Sequence, residues 1–143
     1  MQDDLFRPTI HQEPGTGRAP WRPDSIYYPA FFGGPLAAAT LGLINGRRLR
    51  LGTGPMLAVA AAGVLCFGGR LALSAAVGGS SSLRLAGSVF GVLTALVVAT
   101  VERRPYRAFT YRGGKPASLI GPGLAAVIGC GLVEAFVIFG LVR

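Results

Sequence analysis

The apolar residues of this chain lie in four long blocks, which cover residues 26–44, 55–77, 83–101 and 117–142. A helix that crosses a bilayer needs about 20 mostly apolar residues, because the hydrocarbon core is about 30 Å thick and a helix rises about 1.5 Å per residue. The blocks are too long, and alternate too little, to be strands of a membrane barrel. The pattern therefore predicts an all-α, polytopic membrane protein with four transmembrane helices in a compact bundle.

The composition supports a membrane location and argues against a nucleic-acid partner. Charged residues make up 14% of the chain and hydrophobic residues 51%, whereas about 25% of the residues in soluble domains are charged. The net charge is +8, but the positive residues flank the apolar blocks. Anionic headgroups of membrane lipids are the partner that this arrangement favours.

The connections between the blocks carry most of the basic residues. Loops 45–54 and 102–116 share one face of a four-span topology, and their basic residues are expected to contact lipid headgroups: Arg47, Arg48, Arg50, Arg103, Arg104, Arg107, Arg112 and Lys115. The opposite face would hold five arginines: Arg7, Arg18, Arg22, Arg84 and Arg143. Because cytoplasmic loops are enriched in Lys and Arg, this split predicts that both basic loops are cytoplasmic and that both termini lie outside. The connection GGSSS, residues 78–82, is predicted to be a tight turn.

Residues 1–25 are rich in proline and polar residues and lack the apolar stretch of a signal peptide. They predict a tail without a core of its own, ahead of a transmembrane domain over residues 26–143. The single histidine, His11, lies in this tail, while Cys66 and Cys130 lie inside apolar blocks. Because these three residues complete neither a catalytic triad nor a zinc site, the sequence predicts no enzyme, no cofactor and no metal.

The first block contains two glycines and a proline inside its apolar run, in the stretch FFGGPLAAATLGLINGRRLR at residues 31–50. A proline inside a helix removes one backbone hydrogen bond, and in lipid the freed carbonyl group needs another partner. The sequence favours an interfacial collar of aromatic residues, with the firm helix beginning near Pro35. The alternative is a broken helix that lines a site, as in transporters whose interrupted helices bind substrate.

Small residues recur every four positions in the first and third blocks. The two stripes predicted to mediate helix packing are Gly34, Ala38 and Gly42, and Gly87, Gly91 and Ala95. Small residues at this spacing allow helix backbones to approach closely. The pattern is compatible with packing inside one chain and with contact between copies in an oligomer.

Two ionisable residues, Arg70 and Glu134, lie inside the second and fourth blocks. A charge in hydrocarbon costs at least about 2.5–3.5 kcal/mol, so each needs a partner or a route to water. In a four-span topology the two blocks run in the same direction, and both residues lie about 22–26 Å from the basic loops. The pattern predicts an intramembrane charge pair. The alternative is that Arg70 extends to an interface and that Glu134 is neutral.

The motif FFGGPLA, followed by Asn45 and by RRL at residues 47–49, resembles the first span of small uncharacterised bacterial inner-membrane proteins. The resemblance covers residues 31–49. It implies a multi-pass protein of the bacterial cytoplasmic membrane, and it supplies no activity and no catalytic residue.

Two functions stay open at this point. The first is a small integral membrane scaffold or accessory subunit that assembles with itself or with other membrane protein subunits. It rests on the abundance of close-packing residues and on the absence of catalytic groups. The second is a small oligomeric transporter or channel in which Arg70 and Glu134 line a polar path. A dry, paired arrangement of these charges favours the scaffold, and a wet cavity open to one side favours transport.

Overall fold

The computed structural model describes residues 17–77 and 80–142, and most of them are helical. A 3-10 helix, Pro23–Ile26, leads into α1, Tyr27–Arg48, and three further helices follow: α2, Thr53–Val77; α3, Ser80–Tyr111; and α4, Ile120–Val142. The described residues form no strand, and Trp21 and Ala117 make an isolated backbone bridge. The all-α prediction is confirmed. Part of the predicted turn 78–82 lies outside the described residues.

Three helices in the described part of the chain are long and apolar enough to cross a membrane. They are α2, α4 and the part of α3 that begins at Leu83. Helix α1 is not among them, so the predicted count of four spans is not confirmed. The coarser prediction of a helical membrane protein agrees with the three long apolar helices.

Helix α1 is interrupted at Gly34, where φ is 76° and ψ is −169°. Glycine is nearly alone in adopting this conformation, because a Cβ atom would collide with the neighbouring backbone. Pro35 follows the break, and a residue without an N–H suits the first turn of a new helix. The helix does not begin near Pro35, since residues 27–33 are already helical, and the break inside α1 agrees with the alternative of a broken helix.

The first limb of α1, residues 27–33, runs antiparallel to α3. Just before this limb, Asp24 lies 3.8 Å from Arg103, near the end of α3. At the inner end of the limb, the carbonyl of Phe31 accepts a 2.9 Å hydrogen bond from Ser88, near the start of α3. As the residue numbers rise along the first limb, the residue numbers of its partners on α3 fall, so the two segments are antiparallel.

The second limb of α1, residues 35–48, runs parallel to α3. Gly42 packs against Val98, and Asn45 donates a 2.6 Å hydrogen bond to Glu102. Because the order of contacts has reversed, the chain enters the bundle and returns to the same end of it. Helix α1 is therefore a hairpin of two helical limbs, whose tip is formed by residues 34–36. We call the end of the bundle to which both limbs lead the basic face.

The helices extend into the segments that the sequence predicts as loops. Helix α3 continues to Tyr111, so most of the predicted loop 102–116 is helical. Helix α1 continues to Arg48 and α2 begins at Thr53, which leaves a short connection within the predicted loop 45–54. The reason is that polar and basic residues past the edge of an apolar block are still good helix formers. A hydrophobic boundary is therefore not a helix boundary.

The part of the predicted tail that the structure describes is packed against the basic face. Trp21 is 2% exposed and belongs to the hydrophobic core, so residues 17–25, predicted as a tail without a core of its own, pack on the core of the helical domain. His11 lies outside the described residues. This packing also places Arg18 and Arg22 at the same face as the basic loops, whereas the sequence predicts them on the opposite face.

The second limb of α1 supplies the centre of the core. Ala38 and Leu41 from this limb, Val59 from α2, and Ala95 and Val98 from α3 are all buried in one cluster. Small side chains dominate, so the backbones of these helices approach closely. Helix α4 contributes little to this core, since 6% of its apolar window is buried against the rest of the protein.

Candidate functional site

The tip of the hairpin meets the two ionisable residues of the spanning helices. Glu134 of α4 accepts a 2.8 Å hydrogen bond on Oε1 from the backbone N–H of Leu36. Its second oxygen, Oε2, forms an ion pair with Nη1 of Arg70 from α2. The Glu134 side chain is fully buried, whereas 15% of the Arg70 side chain is exposed. The structure thus brings together the two charges that the sequence places at matching depth.

The break in α1 frees backbone groups, and neighbouring helices provide their partners. Pro35 has no N–H to donate to the carbonyl of Phe31, four residues earlier, and Ser88 of α3 donates to that carbonyl instead. The N–H of Leu36 lies in the first turn of the second limb, where a helix has no internal acceptor. Glu134 accepts from it. Irregular backbone at membrane depth is tolerated only with such partners.

Three glycines make room for this arrangement. A Cβ atom on Gly34 would collide with the Glu134 carboxylate and with Arg70, and one on Gly87 would lie 2.7 Å from Arg70 Cζ. A Cβ atom on Gly91 would overlap the backbone carbonyl of Ala30. All three positions belong to the predicted small-residue stripes. They serve contacts inside the chain, two of them to charged side chains.

The charge pair lies past the middle of the spanning helices. Arg70 follows the start of α2, and Glu134 the start of α4, by enough residues to place both about 21–26 Å from the basic face. Val77 and Val142, which end these helices, lie about 10–12 Å further on. The hairpin therefore carries its tip deep into the half of the bundle opposite the basic face.

Glu134 faces two sources of positive potential. One is the guanidinium of Arg70, and the other is the N-terminus of the second limb, where unpaired N–H groups and the helix dipole favour an anion. Arg70 has hydrogen-bonding capacity left over, because its buried Nε has no hydrogen-bond partner in the described protein. The arrangement is that of an anion-binding site occupied by a carboxylate of the chain itself.

A second polar cluster lies where the hairpin opens onto the basic face. Asn45 accepts a 2.7 Å hydrogen bond from the backbone N–H of Trp21, and donates to the Trp21 carbonyl at 3.1 Å and to Glu102 Oε2 at 2.6 Å. Glu102 is fully buried, and its Oε1 has no hydrogen-bond partner in the described protein. These three residues, which we call the mouth cluster, close the open end of the hairpin.

The mouth cluster is covered by a basic side chain. The guanidinium of Arg48 lies 3.9 Å above the ring of Trp21 and donates a 3.0 Å hydrogen bond to the carbonyl of Ala19. Partial burial, and then repulsion from Arg18, lower the pKa of Arg48. Arg48 is one of the residues predicted to bind lipid headgroups, and in the structure its side chain contacts Ala19 and Trp21 of the N-terminal segment.

The other predicted residues lie in two groups. Ala38, Gly42 and Ala95 pack inside the bundle, and the basic residues other than Arg48 follow the basic face along the ends of α1 and α3 and the connection before α4: Arg47, Arg50, Arg103, Arg104, Arg107, Arg112 and Lys115. Cys66 and Cys130 are free, partly buried thiols. No group of three or more metal-ligating side chains is close together in the described residues.

The sequence does not indicate the roles of Ser88, Asn45 and Glu102. Asn45 belongs to the motif of the first block but has no assigned contact there, and a lone polar residue such as Ser88 fits many roles. Glu102 falls in the predicted loop 102–116, although it directly follows an apolar block. No protein family model, curated protein or solved structure matches this chain. The two polar clusters are therefore interpreted from their own residues.

Proposed function

We propose that this protein is a small membrane transport protein whose substrate site lies at the tip of the re-entrant hairpin. The observation that carries the proposal is the reversal of α1 at Gly34, directly beside the ion pair of Arg70 and Glu134. Secondary transporters bind substrates near the middle of the membrane at discontinuous helices, whose half-helix N-termini point at anionic groups. Residues 34–36 present such an N-terminus to Glu134.

The charges at the tip also support transport. Ionisable residues inside spanning segments are costly, and they commonly mark the path of an ion or a substrate. A purely structural break would be satisfied by neutral partners, as Ser88 satisfies the carbonyl of Phe31. The tip instead uses a full charge pair. A dry, paired arrangement by itself favours a scaffold. In the transport proposal it is the closed state of the site, in which the carboxylate and the guanidinium bind each other.

The test is the accessibility of the tip to water. Ser88 lies beside the tip, at the carbonyl of Phe31, whereas its neighbour Val89 is 57% exposed on the outer surface of the bundle. Each residue is replaced by cysteine in a variant in which Cys66 and Cys130 are alanine. Transport predicts that a membrane-impermeant thiol reagent modifies Ser88→Cys from at least one side, while Val89→Cys, at the same depth in lipid, stays unmodified.

Equal protection of both cysteines from both sides, in protein that remains folded and monodisperse, would contradict a water-filled path. That outcome would favour the second candidate, an accessory subunit. The closed ion pair and the full burial of Glu134 favour this candidate, as does the largely uncovered surface of α4. It predicts that a photo-crosslinking residue at the exposed position Ile128 joins α4 to a discrete partner helix in native membranes.

We further propose a bacterial cytoplasmic membrane location, with the basic face in the cytoplasm. Among the described residues outside the tip, ten basic residues lie at this face and Arg84 lies at the other. This difference is larger than the sequence alone indicates, because the N-terminal segment returns Arg18 and Arg22 to the basic face. Cytoplasmic enrichment of Lys and Arg sets orientation, and no export of the N-terminal segment is needed.

Orientation is tested with cysteines at Thr110, Ser25 and Ser81. An impermeant reagent added to intact cells is expected to reach Ser81→Cys and to miss Thr110→Cys and Ser25→Cys. Modification of Thr110→Cys from outside would reverse the orientation. Modification of Ser25→Cys alone would contradict the re-entrant hairpin and restore a fourth span.

A further inference from the structure

We propose that the tip of the hairpin is a binding site for a small monovalent anion, and that the Glu134 carboxylate occupies this site until it is protonated. The inference rests on the proposed transport function and names its substrate class. The site consists of the Arg70 guanidinium and the N–H of Leu36. Both groups are donors without acceptor capacity of their own, so only an anion or a neutral acceptor satisfies them.

The donors exceed what Glu134 uses. Glu134 takes one nitrogen of the guanidinium, Nη1, and the single N–H of Leu36. The Nε of Arg70 is buried and has no hydrogen-bond partner among the described residues. A buried donor without a partner costs free energy. Nε lies on the edge of the guanidinium that Gly87 borders, away from Nη1, so Arg70 keeps donor capacity beyond its contact with Glu134.

The size of the site follows from the glycines around it. Gly34 and Gly87 border the ion pair so closely that even one added carbon atom would contact it. The ligand is therefore expected to be no larger than the carboxylate it replaces, as chloride and formate are.

The net charge of the site requires that a proton enters together with the anion. With Glu134 ionised, Arg70 and Glu134 sum to zero. An added anion would leave a net negative charge in a low-dielectric region, which is strongly unfavourable. When Glu134 takes up one proton, its carboxylic acid is neutral and the anion balances Arg70. One anion thus enters with one proton, and the site remains neutral in both states.

The charged groups that face Glu134 are few. Helix α2 contributes the Arg70 guanidinium, and α1 contributes the polar N–H of Leu36. Helix α3 contributes no charge from its described residues, since it places Gly87 next to Arg70. Cys130 lies one turn earlier on α4 and contacts Thr40. In the described part of the chain, Arg70 is the only charged side chain in contact with Glu134. Protonation of Glu134 therefore changes the net charge of the site from zero to +1 when no anion is bound.

The anion site is tested first by binding, with thermal unfolding of the purified protein in detergent as the readout. Glu134→Gln imitates the protonated acid, because the amide is neutral and has nearly the same shape. We expect chloride and formate to raise the Tm of this variant by several degrees over gluconate, which is too large for the site. The shift should be absent in the double variant Arg70→Gln/Glu134→Gln.

Glu102→Gln is the matched control, since it neutralises the other fully buried carboxylate, whose bonded partner is an amide rather than a guanidinium. Its Tm should not depend on the anion. In the wild-type protein the same anion-dependent shift should appear only as the buffer is made acidic. If Glu134→Gln does not fold, the pH dependence of the wild-type Tm shift still tests the anion site. Equal anion responses of Glu134→Gln and Glu102→Gln, or a wild-type response that ignores pH, would overturn the anion site.

Transport is tested separately, in vesicles that contain a pH-sensitive dye. An inward chloride gradient is expected to acidify the lumen of vesicles with wild-type protein, at a rate that does not depend on membrane voltage. Glu134→Gln should abolish the proton movement. If anions change the Tm but a chloride gradient causes no acidification, the protein binds the anion at this site but does not transport it. Acidification that persists in Glu134→Gln would reject the assigned role of Glu134.

Discussion

The hairpin holds a fully buried carboxylate at each end, and the two are bound in different ways. At the tip, Glu134 pairs with the cation Arg70 and with the N–H of Leu36. At the mouth, Glu102 receives a hydrogen bond from the neutral amide of Asn45, and its second oxygen has no partner in the described protein. Both carboxylates thus tie the same limb of α1 to a spanning helix.

The difference shows that burial alone does not define a functional charge. The mouth cluster lies close to the basic face, and the partner of its carboxylate is a neutral amide. Its hydrogen bonds hold the two ends of the hairpin together. The tip cluster places opposite full charges about 21–26 Å from the basic face. Removing one partner of a buried ion pair strands the other, whereas removing one hydrogen bond to an amide costs only about 1 kcal/mol. The two ends should therefore respond to substitution very differently.

The largest effect is expected when one charge at the tip is removed. Arg70→Leu and Glu134→Leu should each lower stability by about 3–5 kcal/mol, because each strands a buried charge. The double variant should recover much of this loss. Thermal or denaturant unfolding in detergent measures all three variants. Simple addition of the two losses in the double variant would show that the two charges do not depend on each other.

The break itself is tested by alanine at Gly34. The strained φ and ψ angles should cost about 1–3 kcal/mol, and the collision with Glu134 and Arg70 adds to this. Gly113 is the control, because it also has a positive φ, 81°, but no neighbour within 4 Å. Gly113→Ala should cost about 1–2 kcal/mol, the strain alone. Equal losses for the two variants would mean that the tip has room for a side chain.

The packing between the hairpin and α3 is tested by Gly91→Leu. Gly91 contacts the backbone of Ala30, so leucine should force the first limb away from α3 and cost about 1–3 kcal/mol. Gly129→Leu is the control on α4, where nothing lies within 4 Å of an added Cβ. We expect that control to be stable. Normal yield and unchanged detergent stability of Gly91→Leu would show that this face meets lipid.

The smallest effect is expected at the mouth. Glu102→Gln should lower stability by less than about 1 kcal/mol, because glutamine keeps an acceptor for Asn45. Glu134→Gln should lower it more, since it leaves Arg70 without a counter-charge when no small anion is present. Both variants are compared by unfolding in gluconate buffer. A loss at Glu102 as large as the loss at Glu134 would contradict the distinction between the two ends.

The sequence alone predicts several of these features. Block length and apolar content identify α2, α3 and α4 as helices able to cross a membrane, because the thickness of the bilayer converts directly into a residue count. The cost of a charge in hydrocarbon singles out Arg70 and Glu134, and counting residues places them at one depth. Each of these inferences uses a physical quantity that depends on local sequence only.

The tertiary structure decided the path of the first block. Its length and its GGP motif fit both a span and a broken helix, and the outcome depends on partners elsewhere in the chain. Ser88 on α3 and Glu134 on α4 satisfy the freed backbone groups of the break, and Trp21 and Glu102 hold the returning limb at Asn45. Backbone hydrogen bonds must be satisfied inside a membrane. Only residues distant in sequence provide those partners, so the reversal of α1 is a property of the assembled bundle.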